Sequence, residues 1–133
     1  MTKTHHLSAQ IYYEDTDHSG AVYYANYLKY FERAREAVIG VHFLVDLWEQ
    51  QQIGFAVYKA ELTYHEAAKF GDILDVRSSL KMDGKYRIVW QQDIWRPNRV
   101  KAAVNGRIEL VCLKDGRLTK IPDVIIDKLI GEL

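Results

Sequence analysis

The feature that most limits how this chain can fold is one amphipathic helical stripe set among segments that otherwise read as strands. Tyr27, Tyr30, Phe31, Ala34, Val38, Val41, Val45 and Trp48 recur at three- and four-residue spacing, the signature of a helix with one buried side. Lys29, Glu32, Arg33, Arg35 and Glu36 are expected on the opposite, solvated side. Gly40 interrupts the stripe and marks a kink or a break into two helices.

The flanking segments follow a period of two. Leu7, Ala9, Ile11 and Tyr13 alternate with Ser8, Gln10 and Tyr12, which predicts a strand. After Gln50-Gln51-Gln52, strand-like runs cover Phe55 to Tyr64, Ile73 to Met82, Tyr86 to Trp95 and Val100 to Leu113. Asp83-Gly84 joins two of these runs and predicts a hairpin of type I′, which needs positive φ at both central residues. Arg96-Pro97-Asn98-Arg99 and Asp115-Gly116 are further turns. Asn105-Gly106 lies inside the last run and is expected to form a bulge, because a hairpin there would leave very short strands. Pro122 opens a short C-terminal helix. A helix with one apolar stripe and an antiparallel sheet with one apolar face are best buried by wrapping the sheet around the helix, an α+β architecture.

A chain of 133 residues fits one domain, spanning 1–133. At this size roughly two-thirds of the unfolded surface is buried, so no staple is required. Acids and bases balance at 18 each without a run of like charge, which argues against a nucleic-acid partner held by bulk charge. Cys112, the one cysteine, lies in an apolar strand and reads as a buried structural thiol. No run approaches the ~18 apolar residues of a membrane span. Met1 to His6 lacks the apolar region of a signal peptide. The cytoplasm is the expected compartment.

The chemistry concentrates in Tyr13 to Tyr27. Glu14, Asp15 and Asp17 fall within four residues, and Gly20 permits a turn, just before the main helix. A helix N-terminus presents unpaired N–H groups and the positive end of the helix dipole. Those donors can polarise a thioester carbonyl and hold an oxyanion, while a carboxylate in the preceding loop attacks or activates water. The same acids could instead cap the helix. A calcium loop is a third reading, although the distal ligands of an EF-hand are lacking.

The string Tyr13-x-Asp15-Thr16-Asp17-x-x-Gly20-x-Val22-Tyr23-Tyr24-x-Asn26-Tyr27 resembles the signature of the 4-hydroxybenzoyl-CoA thioesterase type of hotdog protein. Within that type, the motif resembles the Tol–Pal-associated acyl-CoA thioesterases. The resemblance continues through Phe31-Glu32-Arg33-Ala34-Arg35, Phe55-Ala56-Val57, Leu62-Thr63-Tyr64 and Ala67-Ala68-Lys69-Phe70-Gly71-Asp72. It implies a hotdog fold, a five-stranded antiparallel sheet around one long helix from Tyr27 to about Gln50. It implies that Asp17 is the catalytic carboxylate, as nucleophile or general base, and that the backbone N–H of Tyr24 polarises the carbonyl. Many Tol–Pal-associated members carry His where Tyr24 stands, so a side-chain proton-transfer role does not carry over. Gly20, Val22 and Tyr23 of the same motif are expected at the substrate. Asp15 is expected to hold the loop through backbone N–H groups, and His18 to be an exposed loop residue.

The resemblance further implies an acyl-CoA substrate with a short or aromatic acyl group, no cofactor, no metal, and a homo-oligomer, dimer or tetramer. Lys85 and Arg87, beside Asp83-Gly84, are candidates for the CoA phosphates, together with Lys81, Arg96 and Arg99. Two other readings stay open. A hydratase on this fold pairs a His with an acid on the helix, which the His-free stretch from Ser19 to Val41 disfavours. A non-catalytic module would bind an acyl thioester or an acyl carrier protein.

Overall fold

The computed structural model describes residues 2–133. The chain runs β1 (His5–Gln10), α1 (Tyr27–Ile39), α2 (Val41–Gln51), β2 (Ile53–Tyr64), β3 (Ile73–Asp83), β4 (Arg87–Trp95), β5 (Val104–Lys114), β6 (Arg117–Thr119) and α3 (Asp123–Leu129). The strands form one antiparallel sheet in the order β1-β3-β4-β5-β2, with β6 paired to β5. The sheet has six strands rather than five. The additional one, β6, is three residues long and returns from Asp115-Gly116.

The sheet presents Leu74, Val76, Leu80, Ile88, Trp90, Ile94, Ile108 and Leu110 to the helix, which answers with Tyr27, Tyr30, Phe31 and Ala34. This is the hotdog arrangement, with α1 as the enclosed element. Helix α3 closes the core with Ile125 and Leu129, both fully buried.

Gly40, at φ +102°, breaks the helix in two, and the break changes the phase of the stripe. In α2 it is Leu47 that is buried, with Phe43 and Leu44 partly so. Val41, Val45 and Trp48, expected inside, lie exposed. Arg35, expected outside, is buried. It stands four residues after Phe31 and therefore on the same row of the helix.

Two turn expectations are corrected. The loop at Asp83-Gly84 has three residues, 84–86, with positive φ at Gly84 alone. The two-residue turn with positive φ at both positions occurs instead at Asp115-Gly116. Nor does Asn105-Gly106 form a bulge: β5 begins at Val104, and both residues keep regular register with β2 and β4. Gly106 is required for another reason, since a Cβ there would lie 2.7 Å from the Phe31 ring. The irregularity of the sheet falls in β2, between Val57 and Lys59.

Candidate active site

The segment between β1 and α1 folds as a miniature hairpin. Thr16 bridges Val22. The Asp17 N–H donates to Ala21 O at 2.9 Å, and the Gly20 N–H to Asp17 O at 3.0 Å. Gly20 adopts φ +85° to close the turn, a region costly for residues with a Cβ. The second arm is anchored, as the Val22 N–H donates to Ala68 O and Ala21 bridges Lys69. Asp17 and the start of the helical segment are thereby held on two arms of one turn.

The two aspartates have different work. Asp15 turns inward: its Oδ2 accepts the Tyr12 N–H at 2.8 Å. Its carbonyl accepts the Tyr23 N–H at 3.0 Å and Asn26 Nδ2 at 2.9 Å. Asp15 therefore holds the loop to the helix start. Asp17 is exposed. Its Oδ1 accepts the Ser19 hydroxyl at 2.5 Å and the Ser19 N–H at 2.9 Å, while Oδ2 makes no hydrogen bond to any described residue. The Ser19 hydroxyl, then its N–H, hold the Asp17 carboxyl below the usual aspartate range, with a smaller contribution from neighbouring His18. The two carboxylates do not converge, so the calcium-loop reading has no geometry to support it. Among the described residues, no cluster of three or more His, Cys, Asp or Glu could hold a metal ion.

Tyr24 opens a 3₁₀ turn, Tyr24–Asn26, that runs into α1. The first N–H groups of such a turn have no acceptor inside it, and the Tyr24 N–H has none in the surrounding loops. Among the described residues it is a free donor, at the positive end of a helical segment.

Tyr23 and Tyr24 are exposed, with ring centroids 5.0 Å apart. Tyr64, at the end of β2, meets Tyr24 edge-on at 6.1 Å and Tyr27 at 5.8 Å. Tyr27 is buried, and its hydroxyl oxygen accepts the Ala68 N–H at 3.0 Å. Val22 is buried in the core, where it supports the loop and offers no surface to a ligand.

The cations divide sharply. Lys85 and Arg87 stand at the β3–β4 hairpin, at the far end of β4 from Trp95 and the Asp17 loop. Strand β4 has nine residues, which separates its ends by roughly 26 Å at ~3.3 Å per step. Within one chain Lys85 and Arg87 therefore do not join Asp17. Arg87 also faces Glu109 at 3.3 Å and lies over the Tyr58 ring. Arg96 binds Asp72 at 2.7 Å and Glu66 at 3.0 Å, and Arg99 binds Glu66 at 3.1 Å. These two are committed to holding the loop at 65–72. Lys69, in that same loop, has no ion pair among the described residues and is bridged to the Asp17 turn through Ala21. In the sequence Tyr64 and Lys69 stand out only as motif residues, because nothing in their own neighbourhood announces a site. The pairing that brings Lys69 to the Asp17 turn is tertiary.

Cys112 is fully buried, and burial pushes its thiol up to about 11. This agrees with a structural thiol.

Residues 12–129 match the Thioesterase-like superfamily. The acyl-CoA thioesterase YbgC of Haemophilus influenzae is 32% identical over 114 residues, covering 84% of this chain and 82% of that protein. The YbgC protein of Helicobacter pylori (strain 26695) is 34% identical over 90 residues, 67% of this chain and 65% of its own length. Among solved structures, the 4-hydroxybenzoyl-CoA thioesterase of Pseudomonas sp. strain CBS-3 superposes with a TM-score of 0.84. It is 18% identical and covers 95% of this chain and 99% of that one. The probable thioesterase of Bartonella henselae gives 0.80 at 25% identity, over 90% of this chain and 99% of that one. With a family match across nearly its whole length and the fold of its relatives, this chain belongs to the thioesterase-like superfamily of hotdog proteins.

Proposed function

We propose that the protein hydrolyses acyl-CoA thioesters, with a short-chain or aromatic acyl group, at the Asp17 loop. The observation that carries this is the pairing of an exposed carboxylate, its Oδ2 free, with a free N–H at the start of a helical segment, on the two arms of one turn. The Tyr24 N–H donates a hydrogen bond to the thioester oxygen as negative charge grows on it. The Asp17 carboxylate then either attacks the carbonyl carbon, expelling the CoA thiolate and leaving a mixed anhydride for water, or removes a proton from the attacking water. The reading needs no cofactor or metal. The relatives named acyl-CoA thioesterases supply the substrate class.

Gly20 shapes the turn, and Tyr23 and Tyr24 offer aromatic surface to the acyl group. Oligomerisation belongs to the same reading. Strand β2 is a twelve-residue edge of the sheet, with Val57 and Tyr58 more than half exposed. Such an edge is a template for pairing with a second copy. A partner is also the means by which Lys85 and Arg87 could reach a CoA bound at Asp17. Among the described residues, no helix is long and apolar enough to cross a membrane.

The test is thiol release from benzoyl, short-chain and long-chain acyl-CoA. Wild type is expected to hydrolyse at least one, and Asp17→Asn, with unchanged circular dichroism, to lose on the order of 10²–10⁴ in kcat/KM. No turnover by wild type on any member would favour an acyl-carrier-protein substrate or a non-catalytic binding module. Full activity in Asp17→Asn would remove Asp17 from the mechanism.

A further inference from the structure

Helix α1 enters the core on two tyrosines, Tyr27 and Tyr30. Both are buried, and their rings meet edge to face with centroids 6.3 Å apart. Three-residue spacing puts them on one side of the helix. Their hydroxyls differ. The Tyr27 hydroxyl oxygen accepts the Ala68 N–H at 3.0 Å, and the Ala68 carbonyl accepts the Val22 N–H at 2.9 Å. Helix α1 thereby holds the arm of the turn that leads from Ala21 to Tyr24. The Tyr30 hydroxyl is shut away from water and makes no hydrogen bond to any described residue. A buried hydroxyl without a partner has given up its hydration for nothing. Phenylalanine would fill the same space without that cost.

The charge nearest in influence to this hydroxyl is Asp15. Burial, and after it the Asp15 carboxylate, raise the Tyr30 phenol well above its ordinary value. Tyr30 is therefore a neutral donor across the physiological range. Asp15 lacks a donor in turn. Its Oδ2 takes the Tyr12 N–H, whereas its Oδ1 accepts nothing from any described residue, and the residue is only partly exposed. Tyr12 and Tyr30 border the same cavity between β1 and α1, which brings the phenol to the stretch of loop where Asp15 is held. A hydroxyl that meets a carboxylate makes one of the stronger hydrogen bonds available to a side chain. The terminal torsion of an aspartate is soft, so a small turn of the carboxyl closes the bond.

We infer that Tyr30 is a positioning residue for Asp17: its hydroxyl donates to Asp15 Oδ1 and pins the arm of the turn that carries Asp17, as Tyr27 pins the other arm. Asp15 is two residues from Asp17, and its carbonyl already ties that arm to Tyr23 and Asn26. The two tyrosines then fix the carboxylate and the Tyr24 N–H relative to one another from a single helix. The inference rests on the proposed role of Asp17, since exact placement matters only at a reacting group.

The test is Tyr30→Phe, which keeps the ring in the core and removes the hydroxyl alone. Amide exchange at the Asp17 and Gly20 N–H groups of the free, full chain is expected to quicken about three- to tenfold, with the β4 amides unchanged. On whichever acyl-CoA the wild type hydrolyses, kcat is expected to fall on the order of tenfold with KM within about twofold. In an Asp15→Ala background, where the acceptor is gone, Tyr30→Phe is expected to change exchange and kcat by less than about twofold. A role in core packing alone would produce neither the split between kcat and KM nor the dependence on Asp15. Exchange at Asp17 and Gly20 that is indifferent to Tyr30→Phe would overturn the assignment. So would wild-type kcat in that variant, or an equal loss with and without Asp15→Ala. If the wild type hydrolyses no acyl-CoA, the functional reading fails by itself, and the exchange comparison still decides whether Tyr30 holds the loop.

Discussion

Asp15 and Asp17 are the same residue type, two positions apart, and the structure separates them by what each oxygen does. Asp15 is occupied by Tyr12 and, through its carbonyl, by Tyr23 and Asn26. Asp17 keeps one oxygen free, and the two hydrogen bonds from Ser19 to the other favour its ionised form. The sign follows directly: an aspartate with a lowered pKa is ionised, and competent as base or nucleophile, at a lower pH than an ordinary one. Ser19→Ala removes the largest cause of that lowering. Its acid limb in a pH profile of kcat/KM is expected to move upward, toward the ordinary aspartate range, with little change above neutrality. An unchanged acid limb would separate the limb from Asp17. The loop-holding role expected of Asp15 is observed, and the motif had already set the second aspartate apart from it. Val22 was not legible as core, because a motif residue beside a site looks like a contact until its burial is known. Arg35 misled by its type: charge suggested a solvated face, whereas its spacing from Phe31 already placed it on the buried row.

At the scale of elements, periodicity located the strands and the helical segment well, and failed where a local break changed the phase. The stripe from Tyr27 to Trp48 reads as continuous only if the helix is continuous. Once Gly40 turns the chain, Val41, Val45 and Trp48 face solvent and Leu47 takes the buried position. Gly106 shows the opposite failure. Its absent side chain suggested an irregular strand, but β5 is regular there and the glycine makes room for a ring from across the core. Gly106→Ala would set a methyl group 2.7 Å from Phe31 and 3.1 Å from the Gln92 carbonyl. Overpacking of this kind is expected to lower stability by about 1–3 kcal/mol, measured by urea unfolding at unchanged m-value. Phe31→Leu in the same background is expected to recover part of the loss, which would identify the ring as the source of the clash. Stability equal to wild type would mean that the core yields at this point.

At the scale of the whole molecule, one chain places its Asp17 loop at one end of the sheet and its hairpin cations at the other. If CoA is held by Lys85 and Arg87, they must come from a second copy. Light scattering is expected to give a dimer or tetramer mass. Oligomers mixed from Asp17→Asn and Lys85→Ala/Arg87→Ala chains are expected to follow crossed statistics. A site made from the Asp17 of one parent and the cations of the other is fully restored, and its partner site carries both defects. A monomer mass would end this reading. No pattern in a single chain could have announced the arrangement, because strand length sets the distance and the pairing of copies would remove it. The burial of Cys112 has a bearing of another kind. With its thiol fully covered and protonated well past neutrality, the folded protein is silent to disulfide reagents that count liberated CoA. The colour such a reagent develops then belongs to substrate alone, until the fold opens and the chain begins to report on itself.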